Sequence, residues 1–209
     1  IEDHMVHDGL WDVINDFHMG ISNELSSEKW DVSRQVQDEF AAGSYKRANA
    51  SIAKGRFKDE IVPVKIPQRK GDPIIFDTDE CCKETSLELL SKMRPAFKKD
   101  GVGTAGNASI ISDGASALVV MSENKAKELG CEIMATIGSQ CSYGIDMKYV
   151  LMAPIFAIPK VLKKQGLSIS DIDLFEINEA FAGSSAGINK VLDLDPERVN
   201  VNGGSVALG

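Results

Sequence analysis

Nowhere in the chain do about eighteen apolar residues follow one another, the length a helix needs to cross a bilayer, so the sequence offers no transmembrane helix. Positive charge is also short. The 23 Lys and Arg against 31 Asp and Glu leave a formal net charge of −8. Nucleic acid and anionic membranes both select a basic face, so neither is an expected partner. A phosphorylated small molecule remains compatible, because it needs only a local cluster of Lys and Arg. Cysteine is scarce. Cys81, Cys82, Cys131 and Cys141 form no CxxC and have no His at metal spacing. Adjacent cysteines such as Cys81 and Cys82 rarely bridge, so free thiols in a cytoplasmic protein are expected. The opening Ile1-Glu2-Asp3-His4 lacks the charged and apolar regions of a secretory signal. Low-complexity segments are absent, and no internal repeat is obvious by letters.

What is present fits a globular domain. Hydrophobic residues make up 43% and charged residues 26%, ordinary for a packed core under a polar surface. A length of 209 residues allows one or two domains. His4 and His7 stand three apart and have no third ligand, so solvated helix positions are expected. Leu10, Trp11, Ile14 and Phe17 recur at helical spacing and predict a packed stripe. Ser26 or Ser27 is a candidate cap with Glu28 in the first turn. Val32, Val36, Phe40, Ala48 and Ile52 predict one buried face of a long helix stopped at Gly55. Glu60 to Ile66 is β-rich but holds Pro63, with Pro67 just beyond, an edge-strand pattern. Lys70-Gly71-Asp72-Pro73 is turn chemistry that returns the chain to Ile74-Ile75-Phe76. The basic tip Gln68-Arg69-Lys70 reads as solvated.

Leu87, Leu90 and Met93 predict a short helix ended by Pro95. Gly103 to Ser109 is rich in small residues, which allow close approach by a backbone or a ligand. Ala115 to Met121 reads as a buried strand, Ser122 to Gly130 as a capped helix, and Ile133 to Ile137 as another strand. Residues 155–165 predict a helix stopped at Gly166, with Pro159 demanding a kink or a later start. Strands are expected at 172–177 and 199–203.

The stretch Phe175-Glu176-Ile177-Asn178-Glu179-Ala180-Phe181-Ala182 organises the reading. An apolar strand ends at Ile177 and a helix-compatible run follows, placing Asn178 where open α/β sheets carry ligand-handling side chains. A neutral amide there fixes a water or a carbonyl without adding charge. The competing reading is a helix N-cap.

This Asn-Glu-Ala-Phe stretch, with Val199-Asn200-Val201-Asn202-Gly203-Gly204-Ser205-Val206-Ala207-Leu208-Gly209 behind it, resembles the thiolase family. Gly106-Asn107-Ala108-Ser109, Arg94-Pro95-Ala96-Phe97, Phe57-Lys58-Asp59-Glu60-Ile61-Val62-Pro63 and Met5-Val6-His7-Asp8-Gly9-Leu10 extend the similarity in the family's order. It is closest to biosynthetic acetyl-CoA acetyltransferases. The resemblance implies an α/β fold, layered αβαβα with mixed sheets, incomplete in this chain, plus an inserted loop domain. It divides the chain into a CoA-binding loop domain at 1–111, the last part of the N-terminal half at 112–132 and the first part of the C-terminal half at 133–209.

The implied activity is reversible condensation of two acetyl-CoA to acetoacetyl-CoA and CoA. It runs through a cysteine acyl-enzyme, with CoA thioesters as substrates and no permanently bound cofactor. Asn178 becomes the catalytic amide that positions an oxyanion-hole water. Leu10, His18, Met19, Ala108, Ser109 and Phe181 become lining for the acyl-pantetheine arm, with the Ser109 hydroxyl on a pantetheine amide. Lys83 stands where the family carries an Arg near the nucleotide, and it lacks that residue's planar fork. The family's nucleophilic Cys would precede residue 1, and its His and second Cys would follow residue 209. Neither Cys131 nor Cys141 has the Gly-rich surroundings of such a thiol. These residues alone are therefore expected to be inactive. A cytoplasmic homodimer or homotetramer is expected. The alternatives are a non-catalytic CoA-binding module and a longer-chain 3-ketoacyl-CoA thiolase.

Overall fold

The computed structural model describes all 209 residues. Helix α1 (His4–Gly9) opens on Asp3, whose Oδ1 accepts from the backbone N–H of Met5 at 3.0 Å and of Val6 at 3.3 Å. This satisfies two of the unpaired amides of a helix start. His4 and His7 both reach Asp8 at 2.7 Å on the exposed surface. No group of three or more His, Cys, Asp or Glu is placed to hold a metal.

The expected helical stripe after it is not formed. Trp11–Asp12 (β1) pairs antiparallel with Phe17–His18 (β2), and Ile14 lies exposed in the turn between them. The turn is built by Asp12. Its carboxylate accepts from Ile14 N at 2.9 Å, Asn15 N at 3.1 Å and Asn15 Nδ2 at 2.7 Å. Desolvation pushes the Asp12 carboxyl up, but the Asn15 and Ile14 hydrogen bonds together outweigh it and hold the group below its ordinary value. A local Asx turn has thus taken the segment from the helix its apolar spacing suggested.

Helix α2 (Met19–Lys29) is capped by His18 and runs through Ser26 and Ser27, which are buried inside it rather than capping anything. Ser33 caps the long α3 (Arg34–Ala53), and Gly55 ends it with φ +67°. The buried face of α3 is Gln37, Asp38, Ala41, Ser44, Tyr45, Ala48 and Ser51, while Val36 is exposed. The expected Val32–Ile52 stripe is therefore not the packed face as drawn.

The reason is the partner, α7 (Ala182–Leu192), whose residues Ala182 to Ile188 are all buried. Its small side chains let α2 and α3 approach closely, so mostly small or hydrogen-bonded residues fit between them. A Cβ at Gly183 would meet Ser27 Oγ at 2.7 Å and Gln37 Oε1 at 2.8 Å. Two apolar clusters flank this centre. One joins Ala41, Tyr45, Ala48, Leu90, Ala182, Val206 and Ala207. The other joins Met152, Ile155, Ile188, Leu194 and Val199. A fully buried Ile or Met contributes roughly 1.5–3 kcal/mol.

Along the chain after α3 come the exposed hairpin of Val64–Ile66 (β3) with Ile74–Phe76 (β4), then α4 (Leu87–Ser91) and α5 (Glu123–Leu129). Ser122 caps α5, and Gly130 closes it at φ +66°. Helix α6 (Pro154–Gln165) starts with Pro154 and continues through Pro159, so neither a later start nor a break occurs. A four-residue α8 (Ser205–Leu208) closes the chain.

The expected buried strands at 115–121 and 133–137 are not formed. Both segments lack ladder partners. Leu118 and Val119 are each 87% exposed and Met134 is 93% exposed. β-propensity describes fit to a neighbouring strand, and none lies beside them. The 172–177 and 199–203 segments form no strands, and their backbones pair as a single parallel bridge, Phe175–Val199.

Candidate active site

Three short segments converge at the N-terminal end of α7. Ala182 N donates to Asn107 O at 2.8 Å and Ser109 N to Ala180 O at 3.0 Å, so Ala108 faces Phe181 across an antiparallel bridge. Ile110 N donates to Ser205 O at 3.0 Å, drawing in the start of α8. On the other side Phe175 N donates to Arg198 O at 2.8 Å and Asn200 N to Phe175 O at 2.9 Å.

There the backbone ladder stops and a side chain continues it. Asn200, at φ +47°, accepts from Ile177 N and donates to Ile177 O, both at 2.8 Å. The same Nδ2 donates to Glu179 Oε1 at 2.8 Å. Glu179 is 1% exposed, and its Oε2 accepts from Ser44 Oγ at 2.7 Å and Val206 N at 3.2 Å. Gly204 passes directly over this carboxylate, where a Cβ would overlap it. Burying an ionised carboxylate is unfavourable unless its lone pairs are used, and here three elements use them.

Asn178 lies beside this buried acid and is exposed. It is not a helix cap, because α7 begins only at Ala182, after Phe181. Its Oδ1 accepts from Ser205 Oγ at 3.0 Å. Glu176 lies on the same turn, and desolvation together with the Glu179 charge raises its pKa.

The remaining expected residues form a row leading away from Asn178. Ser109 Oγ donates to Ser205 O at 3.2 Å and Ile110 O at 3.3 Å, which leaves the oxygen free as an acceptor. Phe181 meets Phe97 edge-on at 5.5 Å, and Phe97 stacks on His18 at 5.3 Å. His18 Nδ1 accepts from Gly20 N at 2.9 Å. Nδ1 is therefore unprotonated, and the Nε2–H of the neutral ring is the free donor. Burial pushes the His18 pKa down, in keeping with that form. Met19 N donates to Leu10 O at 2.8 Å and brings Leu10 alongside.

Lys83 does not join the row. Its carbonyl accepts from Asn49 Nδ2 at 3.4 Å, far along α3. No thiol joins it either. Cys131 is exposed, Cys141 donates to Ala157 O at 3.2 Å, and Cys82 packs against the first apolar cluster.

Glu179, Asn200, Ser205 and Phe97 are the site residues that sequence reasoning missed. The available signal was an acidic residue inside an otherwise apolar stretch and two Asn flanking Val201, neither of which names its partner.

Residues 1–124 match the family model "Thiolase, N-terminal domain", and residues 131–209 match "Thiolase, C-terminal domain". The chain belongs to the thiolase family. An acetyl-CoA acetyltransferase of Pseudomonas aeruginosa is 50% identical over 208 residues, covering 99% of this chain and 53% of that protein. A probable acetyl-CoA acyltransferase of Staphylococcus aureus is 51% identical over the same length and share. Among solved structures, the Bacillus anthracis acetyl-CoA acetyltransferase superposes with a TM-score of 0.92 at 44% identity, covering 96% of this chain and 51% of that one. That of Syntrophomonas wolfei gives 0.92 at 37% identity, covering 100% and 54%. The thiolase chain described here thus spans about half the length of these relatives, and its fold is that of the family.

Proposed function

We propose that the protein carrying this chain transfers acyl groups between coenzyme A thioesters, condensing two acetyl-CoA to acetoacetyl-CoA and CoA in a reversible reaction. The observation that carries the reading is Asn178. It is an exposed amide whose neighbours Ile177 and Glu179 are both hydrogen-bonded by the side chain of buried Asn200. A preorganised donor of that kind stabilises charge that develops on a thioester oxygen, directly or through a water, without reorganising when it forms.

In this reading Ala108, Ser109, His18, Met19, Leu10 and Phe181 line the thin acyl-pantetheine arm. A mostly apolar wall with a few polar atoms suits a chain with two amides. The Ser109 oxygen accepts from an amide N–H. Lys83 contributes charge toward the nucleotide end. Residues 1–111 act as the loop domain, 112–132 belong to the N-terminal half and 133–209 to the C-terminal half. CoA, acetyl-CoA and acetoacetyl-CoA are the ligands, and the setting is a cytoplasmic homo-oligomer. No helix is long and apolar enough to cross a membrane.

None of the four cysteines stands beside Asn178, so we assign no acyl-accepting thiol to these 209 residues. Acting alone, they bind CoA thioesters without turning them over. The experiment is thiolysis of acetoacetyl-CoA by CoA, followed by the loss of the thioester enolate absorbance. The protein that carries the chain is expected to be active and the isolated 209 residues are not. Turnover by the isolated residues, or none by the whole protein, would reject the reading.

A further inference from the structure

Asn178 is exposed and Ser205 half-buried, at the edge of a network whose centre, Glu179, Asn200 and Ser44, is buried. Each lies between two residues that the network holds, by backbone or by side chain. Ile177 is held on both its N–H and its C=O by Asn200, and Glu179 is held at both carboxylate oxygens. Gly204 N donates to Ser44 Oγ at 3.1 Å, and Val206 N donates to Glu179 Oε2 at 3.2 Å. Neither Asn178 nor Ser205 contributes its side chain to this holding. Their one side-chain hydrogen bond is with each other, Ser205 Oγ to Asn178 Oδ1 at 3.0 Å.

With the flanking residues held, the freedom left to Asn178 is χ1 and, beyond it, the torsion of its amide plane. That torsion is broad and nearly two-fold, and its two settings differ in which atom faces out. One presents a carbonyl acceptor and the other two N–H donors. A hydroxyl donating to Oδ1 selects the second.

We propose that Ser205 is a positioning residue that sets the amide of Asn178 with its nitrogen outward, so that the site offers a donor and not an acceptor. This rests on the role given to Asn178 above. It adds a specific device: a hydroxyl on the first residue of α8 controls the polarity of the group that meets the thioester or its water. The Ser44–Glu179–Asn200 network keeps the two backbones in register so that one hydrogen bond is enough.

The test is side-chain amide NMR on the full chain, comparing wild type with Ser205→Ala and Ser205→Thr. In wild type the Asn178 Nδ2 group is expected to be ordered, with both protons exchanging freely with solvent. Ser205→Ala is expected to lower that order with the melting temperature unchanged, and Ser205→Thr, which keeps a hydroxyl, to restore it. Unchanged order in Ser205→Ala overturns the proposal. So does slowed exchange of one Nδ2 proton in wild type, which would mean that the amide is set the other way.

Titration with acetyl-CoA separates this idea from the functional reading. If acetyl-CoA shifts no Asn178 resonance while Ser205→Ala still loosens it, the functional reading fails and the positioning stands. If acetyl-CoA shifts the Asn178 resonance alike in wild type and Ser205→Ala, Ser205 has no positioning role. In the protein that carries the chain, Ser205→Ala is expected to lower kcat about tenfold, the worth of one hydrogen bond, with KM unchanged.

Discussion

Asn200 donates a hydrogen bond to Glu179 at 2.8 Å while its own backbone stands in the left-handed region at φ +47°. Because Glu179 also accepts from Val206 N, the pair links the end of one strand segment to the start of α8.

Glu179→Ala is expected to be severe. It leaves the donors of Ser44, Asn200 and Val206 buried without an acceptor. At about 1–3 kcal/mol per orphaned group, partly relieved by relaxation, a loss of about 3 kcal/mol or more is expected. Urea denaturation of the purified variant reads this directly. Glu179→Gln keeps one acceptor oxygen and should recover a good part of the loss.

Gly203→Ala should also destabilise, for a different reason. The residue sits at φ +87°, and a Cβ would stand 2.6 Å from Ala48 Cβ and 2.7 Å from Ala48 N. The obstruction includes the backbone of α3, which cannot move aside as a side-chain tip can. A cost of about 2–4 kcal/mol follows from overpacking combined with the disfavoured φ. Gly114→Ala is the control, since nothing lies within 4 Å of the added atom.

Asn178→Ala should behave in the opposite way. The side chain is exposed and bonded only to Ser205, so the denaturation midpoint should barely move. In the protein that carries this chain, kcat for thiolysis should fall by up to about 10²- to 10³-fold, the range for loss of an oxyanion donor. A large stability loss with unchanged kcat would count against the assigned role.

Stability should fall in mild acid because of His18. Its ordinary value is 6.5, and burial lowers it in the fold. The unfolded chain therefore binds a proton at a higher pH than the folded one does. Stability from the neutral ring is complete above about pH 6.5 and is lost as pH drops through the lower folded value. Protonation of Nδ1 would also displace the Gly20 N–H it accepts. His18→Asn keeps a capping acceptor but does not titrate, so the difference in melting temperature between pH 7.5 and pH 5 should shrink in that variant.

Val119→Lys should cost no more than about 0.5 kcal/mol, because Val119 is 87% exposed. A loss of several kcal/mol in the denaturation of this chain would mean that the segment packs against something after all.

Features settled by neighbours in sequence were legible. The Lys70–Pro73 turn closes the β3–β4 hairpin, Ser122 and Gly130 bound α5, and Gly55 ends α3. Each depends on a cap, a turn or a positive φ that a few adjacent letters encode. The buried face of α3 was not legible, because Ser44 owes its burial to an acid 135 positions away. The ladder expected at 115–121 was not legible either, since an apolar run reports a preference for strand neighbours and not their presence. At the site, the wording around Asn178 and Ser109 pointed to two residues that the fold joins through Ser205. Its supports were hidden because Glu179 and Asn200 look like surface residues until their partners are known.

By offering its carboxamide to both the N–H and the C=O of Ile177, Asn200 impersonates a peptide unit of an adjoining strand. The pleat is thereby finished off one residue short of Asn178, with both backbone groups of Ile177 paired. A side chain that counterfeits backbone is thus what releases position 178 from sheet duty and hands it over to the solvent side.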